Sequence, residues 1–434
     1  MRLPLNRMSA VQLSQLIAAG EASSEVVTRS FIDAIGERER DVHAFVWFDA
    51  DRAVAAAREQ HLSSRRGPLY GLPLAVKDNI DTADLPTSYG SAIYTGHRPL
   101  VDAACVALLK DASAFVFGKT VSAELANFTP GPTRNPHNLE HTPGGSSSGS
   151  AAAVAAHFAP FALGTQTAGS VIRPAAYCGV VGYKPSPRLI PRTGVKPNSD
   201  TLDEVGLFAR TVHDIAFVAA ALVGKPAWKD LPAQGLAGGG RAIGAVTTSQ
   251  RAAATAPMLA ALEAAVKRVS ERGARYVEVT WPRVFDGLFD AQKTVQLFET
   301  ARALAPEYTY RRDQLSASTI DLIEKGRAMP AQEYAAALQL GRACAAAIDS
   351  LFGDADVLMA PSAAGEAPKG IASTGDPLFN RPWQLLGCPV INLPCGRGPS
   401  GLPLGLSVIG RPNDDAMVIA AAAWVEHALV EHAG

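Results

Sequence analysis

The chain has 434 residues, 47% of them apolar and 19% charged, with a formal net charge of -1 at pH 7. That length buries a substantial core, as one large domain or as two or three smaller ones. The near-zero charge, with basic runs no longer than Arg65-Arg66 or Arg311-Arg312, excludes the electrostatic footprint of a nucleic-acid or anionic-membrane binder. Five cysteines without a CxxC pair fit neither a disulfide framework nor a zinc site, so buried thiols in a reducing compartment are expected. The opening residues carry no signal-peptide core, and no stretch of about 18 apolar residues lacks a breaker. A soluble, cytoplasmic protein is expected.

Residues 1–65 read as an N-terminal helical layer. Ser9 is placed to cap a first helix carrying Val11, Leu13, Leu16 and Ile17, and Gly20 closes it. Ser23 or Ser24 caps a second, through Val26, Val27, Phe31 and Ile35. From Gly71 the texture changes to short apolar runs. Leu72-Pro73-Leu74-Ala75-Val76 ends abruptly in Lys77-Asp78-Asn79, and Phe115-Val116-Phe117 reads as another buried strand. Residues 129–150 are loop-forming, Ala151 to Ala156 helix-forming. Phe161-Ala162-Leu163 precedes a second loop over 164–173, and a strand follows near Val180–Tyr183. Residues 235–240 read as a flexible connection, 253–350 as mostly helical. Ala242–Val246, Val357–Pro361, Val390–Leu393 and Leu404–Ile409 supply later strands before a C-terminal helix from Asp415. Strands alternating with helices predict an α/β fold, with a mixed central β-sheet flanked by helices on both faces, in one domain over 1–434.

Three features carry chemistry: Lys77 at the end of an apolar strand, the Gly/Ser run Gly144–Ser150, and the small-residue run Gly164–Ser170. A serine hydroxyl needs a base to become a nucleophile. A lysine can serve if burial against apolar neighbours lowers its pKa from about 10.4. A developing oxyanion needs aligned backbone N–H groups, which small residues leave uncovered. Thr167, Ala168, Gly169 and Ser170 fit that need.

With these residues in view, the stretch Gly144 to Lys184 resembles the signature of the amidase signature family. The Lys77 segment resembles that family's lysine motif, and Gly387–Pro394 continuing to Gly401–Gly405 its C-terminal end. The likeness is weakest over 225–350. It implies Ser170 as the acyl-accepting nucleophile, Ser146 as a bridging serine after a cis Gly145–Ser146 bond, and Lys77 as the base. It implies neither metal nor organic cofactor, a small amide substrate, and commonly a homodimer. The wording GGSSSGS, GTQT and GSVIRPAAYCG is similar to small malonamidase-like amidases. In those an arginine three residues past the nucleophile, here Arg173, binds a substrate carboxylate; the other reading of Arg173 is a structural pairing with an acid or carbonyl. Gln166 and Ala168 depart from the family's frequent Asp and Gly, which puts the geometry of the oxyanion hole in question. Residues 253–350, with the weakest signal, are expected to select the substrate.

Other readings are weaker. Gly145 to Gly149 also satisfies G-x-S-x-G, but His213, His427 and His432 lack a telling context for that triad. Gly118-Lys119-Thr120 lacks the first glycine of a phosphate loop, since Ser113 stands there. His137, His141 and His157 read as solvated rather than metal-binding. Asp78 either orients Lys77 or caps a turn. The alternative function is the glutamine-hydrolysing subunit of a tRNA-dependent amidotransferase.

Overall fold

A computed structural model describes residues 3–62, 66–237, 241–246 and 248–430. Eleven strands join in one sheet: β1 (Phe45–Phe48), β2 (Pro73–Lys77), β3 (Phe115–Thr120), β4 (Phe161–Gln166), β5 (Val181–Lys184), β6 (Glu204–Ala209), β7 (Ala242–Ala245), β8 (Arg275–Glu278), β9 (Val357–Pro361), β10 (Val390–Arg397) and β11 (Pro403–Ile409). Their spatial order is β1-β3-β2-β4-β6-β5-β10-β11-β9-β7-β8. The sheet is mixed: β3-β2-β4 and β9-β7-β8 run parallel, and the remaining neighbours are antiparallel.

Side-chain alternation along the strands divides the core in two. Leu74, Val76, Phe161, Leu163 and Met359 belong to one apolar cluster with Phe31, Ile215 and Val418, which come from helices. Ala75, Ala162, Leu358 and Ala360 belong to another with Val154, Ile172 and Leu288, also helical. A period of two on each strand therefore assigns each face its own helical layer. The parallel strands β2, β3 and β4 are buried at every position, as two-sided covering demands.

The N-terminal helices form as the sequence predicts. Ser9 makes a capping box with Gln12, and Ser23 rather than Ser24 caps the helix Ser24–Val42. The layer is not wholly helical, however. Phe45–Phe48 pairs antiparallel with β3 at the sheet edge, consistent with the β-preference of aromatic and branched residues. Residues 235–237 lie in the helix Leu231–Ala237 rather than in a connection, and 238–240 lie outside the described residues. Within 253–350, the strand β8 interrupts the helices. No helix among the described residues is long and apolar enough to cross a membrane.

Candidate active site

Lys77 ends β2, which runs parallel to β4 with Val76 opposite Leu163. The carboxyl ends of two parallel strands thus share one edge, the usual position of a binding crevice in such sheets. Lys77 is fully buried. Its Nζ lies 2.8 Å from Ser146 Oγ and 2.7 Å from Thr165 Oγ1. Thr165 Oγ1 also accepts from Asn79 Nδ2 at 3.0 Å. Desolvation holds the Lys77 amine well below the ordinary lysine value, and the Asp203 carboxylate opposes that fall. A neutral amine hydrogen-bonded to a hydroxyl can take up a proton through it.

The Gly145–Ser146 peptide bond is cis. The helix Ser148–Ala155 follows directly, and its packing explains the glycine inside it. A Cβ at Gly149 would come within 2.2 Å of the Ala44 carbonyl oxygen and 2.3 Å of the Val121 nitrogen. Ser147 Oγ donates to the Thr165 carbonyl at 3.1 Å and accepts from the Thr165 N–H at 3.2 Å. Ser150 Oγ donates to the Leu163 carbonyl at 2.8 Å. These hydroxyls tie the helix to β4. Ser147, the centre of the G-x-S-x-G match, is fully buried in this role, so the nucleophile-elbow reading falls. His432, one of the histidines considered for it, lies outside the described residues.

The second loop is shorter than 164–173, because β4 extends to Gln166 and a helix runs over Ile172–Cys178. Gln166 shapes what remains. Its Oε1 accepts from the N–H groups of Val171 at 2.9 Å and Ile172 at 3.0 Å, and its Nε2 donates to Gln384 Oε1 at 2.9 Å. A carboxamide thus binds the turn through one end and the neighbouring wall through the other. Gln166→Ala strands two buried N–H groups and should cost about 1–3 kcal/mol, measurable as a lower urea midpoint. Ala168 is not among the residues with positive φ, so its Cβ imposes no backbone strain at this site. Gly169 is needed for close approach instead: a Cβ there would lie 2.8 Å from Pro377 Cβ. The Ser147 N–H reaches the Ser170 carbonyl at 3.4 Å, bringing this loop against the Ser146 segment. Ser170 is half-buried in a narrow cleft that Thr167, Ala168, Arg173, Gln296 and Phe128 also line.

Arg173 is 2% exposed. Its Nη2 donates to the Gly145 carbonyl at 2.6 Å and to Thr374 Oγ1 at 3.1 Å, so the structural pairing with a carbonyl exists. Its Nε and Nη1 are buried without a hydrogen-bond partner among the described residues. Burial pushes its guanidinium down to about 10, which keeps it charged at neutral pH. The Asp78 carboxylate is engaged by groups other than the Lys77 amine. It accepts from the Ser88 and Gly90 N–H groups and faces Lys119 Nζ at 3.9 Å, so it holds a turn and a second buried lysine. His137 Nε2 and His141 Nδ1 bond the carbonyls of Cys178 and Ala367, and no cluster of three metal-ligating side chains occurs among the described residues.

Sequence reading missed Thr165, Asn79, Asp203 and Gln292. Thr165 lies inside the Gly164–Ser170 run and could have been noticed as a lysine partner. Asp203 Oδ1 accepts from Thr167 Oγ1 at 2.6 Å, and Gln292 Nε2 donates to the Thr167 carbonyl at 3.0 Å. Both arrive from distant segments with no local signature.

The family model described as Amidase matches residues 26–419. A relative from Lysinibacillus sphaericus (strain C3-41), named as the A component of glutamyl-tRNA(Gln) amidotransferase, is 33% identical over 99% of this chain and 98% of its own length. Another of that name, from Acidothermus cellulolyticus (strain ATCC 43068 / DSM 8971 / 11B), is 47% identical over 51% of this chain and 46% of its own length. A native peptide amidase from Stenotrophomonas maltophilia superposes with a TM-score of 0.84 at 30% identity, covering 98% of each chain. Fold and relatives together define a hydrolase of carbon–nitrogen amide bonds. The chain belongs to the amidase signature family.

Proposed function

We propose that the chain hydrolyses the carboxamide of a small, carboxylate-bearing amide through an acyl-enzyme on Ser170. The observation that carries this is the fully buried Lys77 amine 2.8 Å from Ser146 Oγ. Neutral Lys77 draws the Ser146 proton as Ser146 draws that of Ser170, and Ser170 Oγ attacks the amide carbon. The N–H groups of Thr167, Ala168, Gly169 and Ser170 are the candidate donors to the oxyanion. The proton held at Lys77 returns along the relay to the leaving nitrogen, and water, activated by the same relay, frees the carboxylate. No step calls on a metal or organic cofactor.

Arg173 supports the carboxylate. Two of its nitrogens have no hydrogen-bond partner among the described residues, Arg173 lines the same cleft as Ser170, and a guanidinium fork suits a carboxylate. Arg173→Ala is expected to cost acidic amides about 2–3 kcal/mol of transition-state binding, or roughly 30–150-fold in kcat/KM. Neutral amides should lose several-fold less. Equal losses on both would reduce Arg173 to its bond with Gly145.

A second reading is favoured by the curated relatives, which are named as components of an amidotransferase. Glutamine is itself a carboxamide bearing a carboxylate, so the same relay would serve, with ammonia passed onward to a tRNA-bound acyl group. Those names also weigh against a homodimer and toward a chain that works beside other subunits. Ammonia release by the purified chain, across a panel of mono- and diamides with glutamine included, separates the readings. Turnover by the isolated chain at enzyme-like rates supports the free-standing amidase. Turnover only with a co-purifying partner supports the amidotransferase component. The helical region within 253–350 supplies Gln296 to the cleft, in keeping with a part in substrate selection.

A further inference from the structure

The helix Leu288–Ala303 buries four polar side chains among its apolar ones: Gln292, Gln296, Glu299 and Thr300. Buried polar groups are costly unless each is paired, so their partners reveal what the helix supports. Gln292 is 0% exposed. Its Oε1 accepts from Arg381 Nη1, and its Nε2 donates to the Thr167 carbonyl at 3.0 Å. Arginine offers only donors, so this contact fixes which end of the carboxamide is oxygen and leaves the amide nitrogen facing Thr167.

We propose that Gln292 is a positioning residue that aims the Ala168 N–H at the reacting carbonyl, an inference that rests on the serine-acylation reading above. The Thr167–Ala168 peptide is not among the cis bonds. A planar trans peptide points its carbonyl and its N–H in opposite directions. Fixing the Thr167 carbonyl onto the helix therefore fixes the Ala168 N–H away from it. The Thr167 side chain is anchored separately, by its 2.6 Å bond to Asp203. Asp203 also accepts from the Asn198 and Ser199 N–H groups at 2.7 and 2.9 Å. The same helix braces that segment: Thr300 Oγ1 donates to Asn198 Oδ1 at 2.7 Å, and Glu299 accepts from Ser199 and Thr201. One helix thus holds both anchors of Thr167. Part of the region that sequence reading assigns to substrate choice serves the chemical step instead.

The test is the rate at which Ser170 is labelled by a fluorophosphonate probe, which needs the nucleophile and the oxyanion donors but not the natural amide. Gln292→Glu keeps the side-chain volume and the Arg381 partner, and replaces the donor by an acceptor facing the Thr167 carbonyl. Losing an oxyanion donor outright costs about 10²–10³-fold, so misaiming one should slow labelling by about 10–100-fold. On a turned-over amide the loss should fall on kcat with KM within about twofold, since ground-state contacts are untouched. In the uncharged Gln292→Met variant the acid limb of the rate should not move, because Lys77 is unaltered and no carboxylate is added near it. Gln292→Met, without a new charge, provides the same test if the buried carboxylate prevents folding. Labelling at the native rate by either folded variant would overturn the inference. A native chain that itself fails to label would overturn the serine-hydrolase reading, and this one with it.

Discussion

Ser170→Ala should lower kcat by about 10⁵–10⁶-fold, the scale on which removal of a serine nucleophile collapses acyl transfer. The fold should survive, because Ser170 is half-buried at the cleft and the turn around it is held by Gln166 through the Val171 and Ile172 N–H groups. Fluorophosphonate labelling, measured by intact mass, should vanish. Ser146→Ala should be severe but less complete, since a water of the same reach can stand between the Lys77 amine and Ser170. A Ser170→Ala protein that still released ammonia at a tenth of the native rate would remove Ser170 from the chemistry.

The parts that sequence reading found and those it missed differ in physical kind. Leu74-Ala75-Val76 announces a strand covered on both faces, and a lysine ending such a run has little choice but burial. By contrast, Phe45-Val46-Trp47-Phe48 was hidden between two helices, although its aromatic and branched residues favour a strand. The strand Glu204–Ala209 was missed because an acid and a glycine weaken its pattern; it lies between β4 and β5, at the middle of the sheet. Lys77 and Ser146 were assigned from resemblance, and the contact between them spans 69 positions. Gln292 meets Thr167 across 125 positions. Nothing local distinguishes a glutamine that braces a loop from one facing solvent.

Lys77→Met should reduce kcat by at least about 10⁴-fold, the upper range for a general base within an acyl-transfer relay. The same change should make the protein more stable near neutral pH. In the folded chain the Lys77 amine is held well below the ordinary lysine value by burial, whereas in the unfolded chain it is protonated up to about pH 10.4. Between those two values the unfolded state binds more protons, so stability rises with pH and is lost as pH falls. Methionine fills the stem's space and carries no such proton, which removes that slope and its penalty. The slope is reduced rather than abolished, because Lys119, pushed down to about 8, and Lys184 are buried in the same sense and remain. The native enzyme should lose activity as acid protonates Lys77, with a limb whose midpoint lies well below the usual lysine range. Thermal melts at several pH values, set beside the pH–rate profile, measure both consequences on one pair of proteins. An Lys77→Met variant that is inactive and has a higher Tm fits a site where function is maintained at the expense of stability. One that retains activity within tenfold of native would show that some other group deprotonates Ser170.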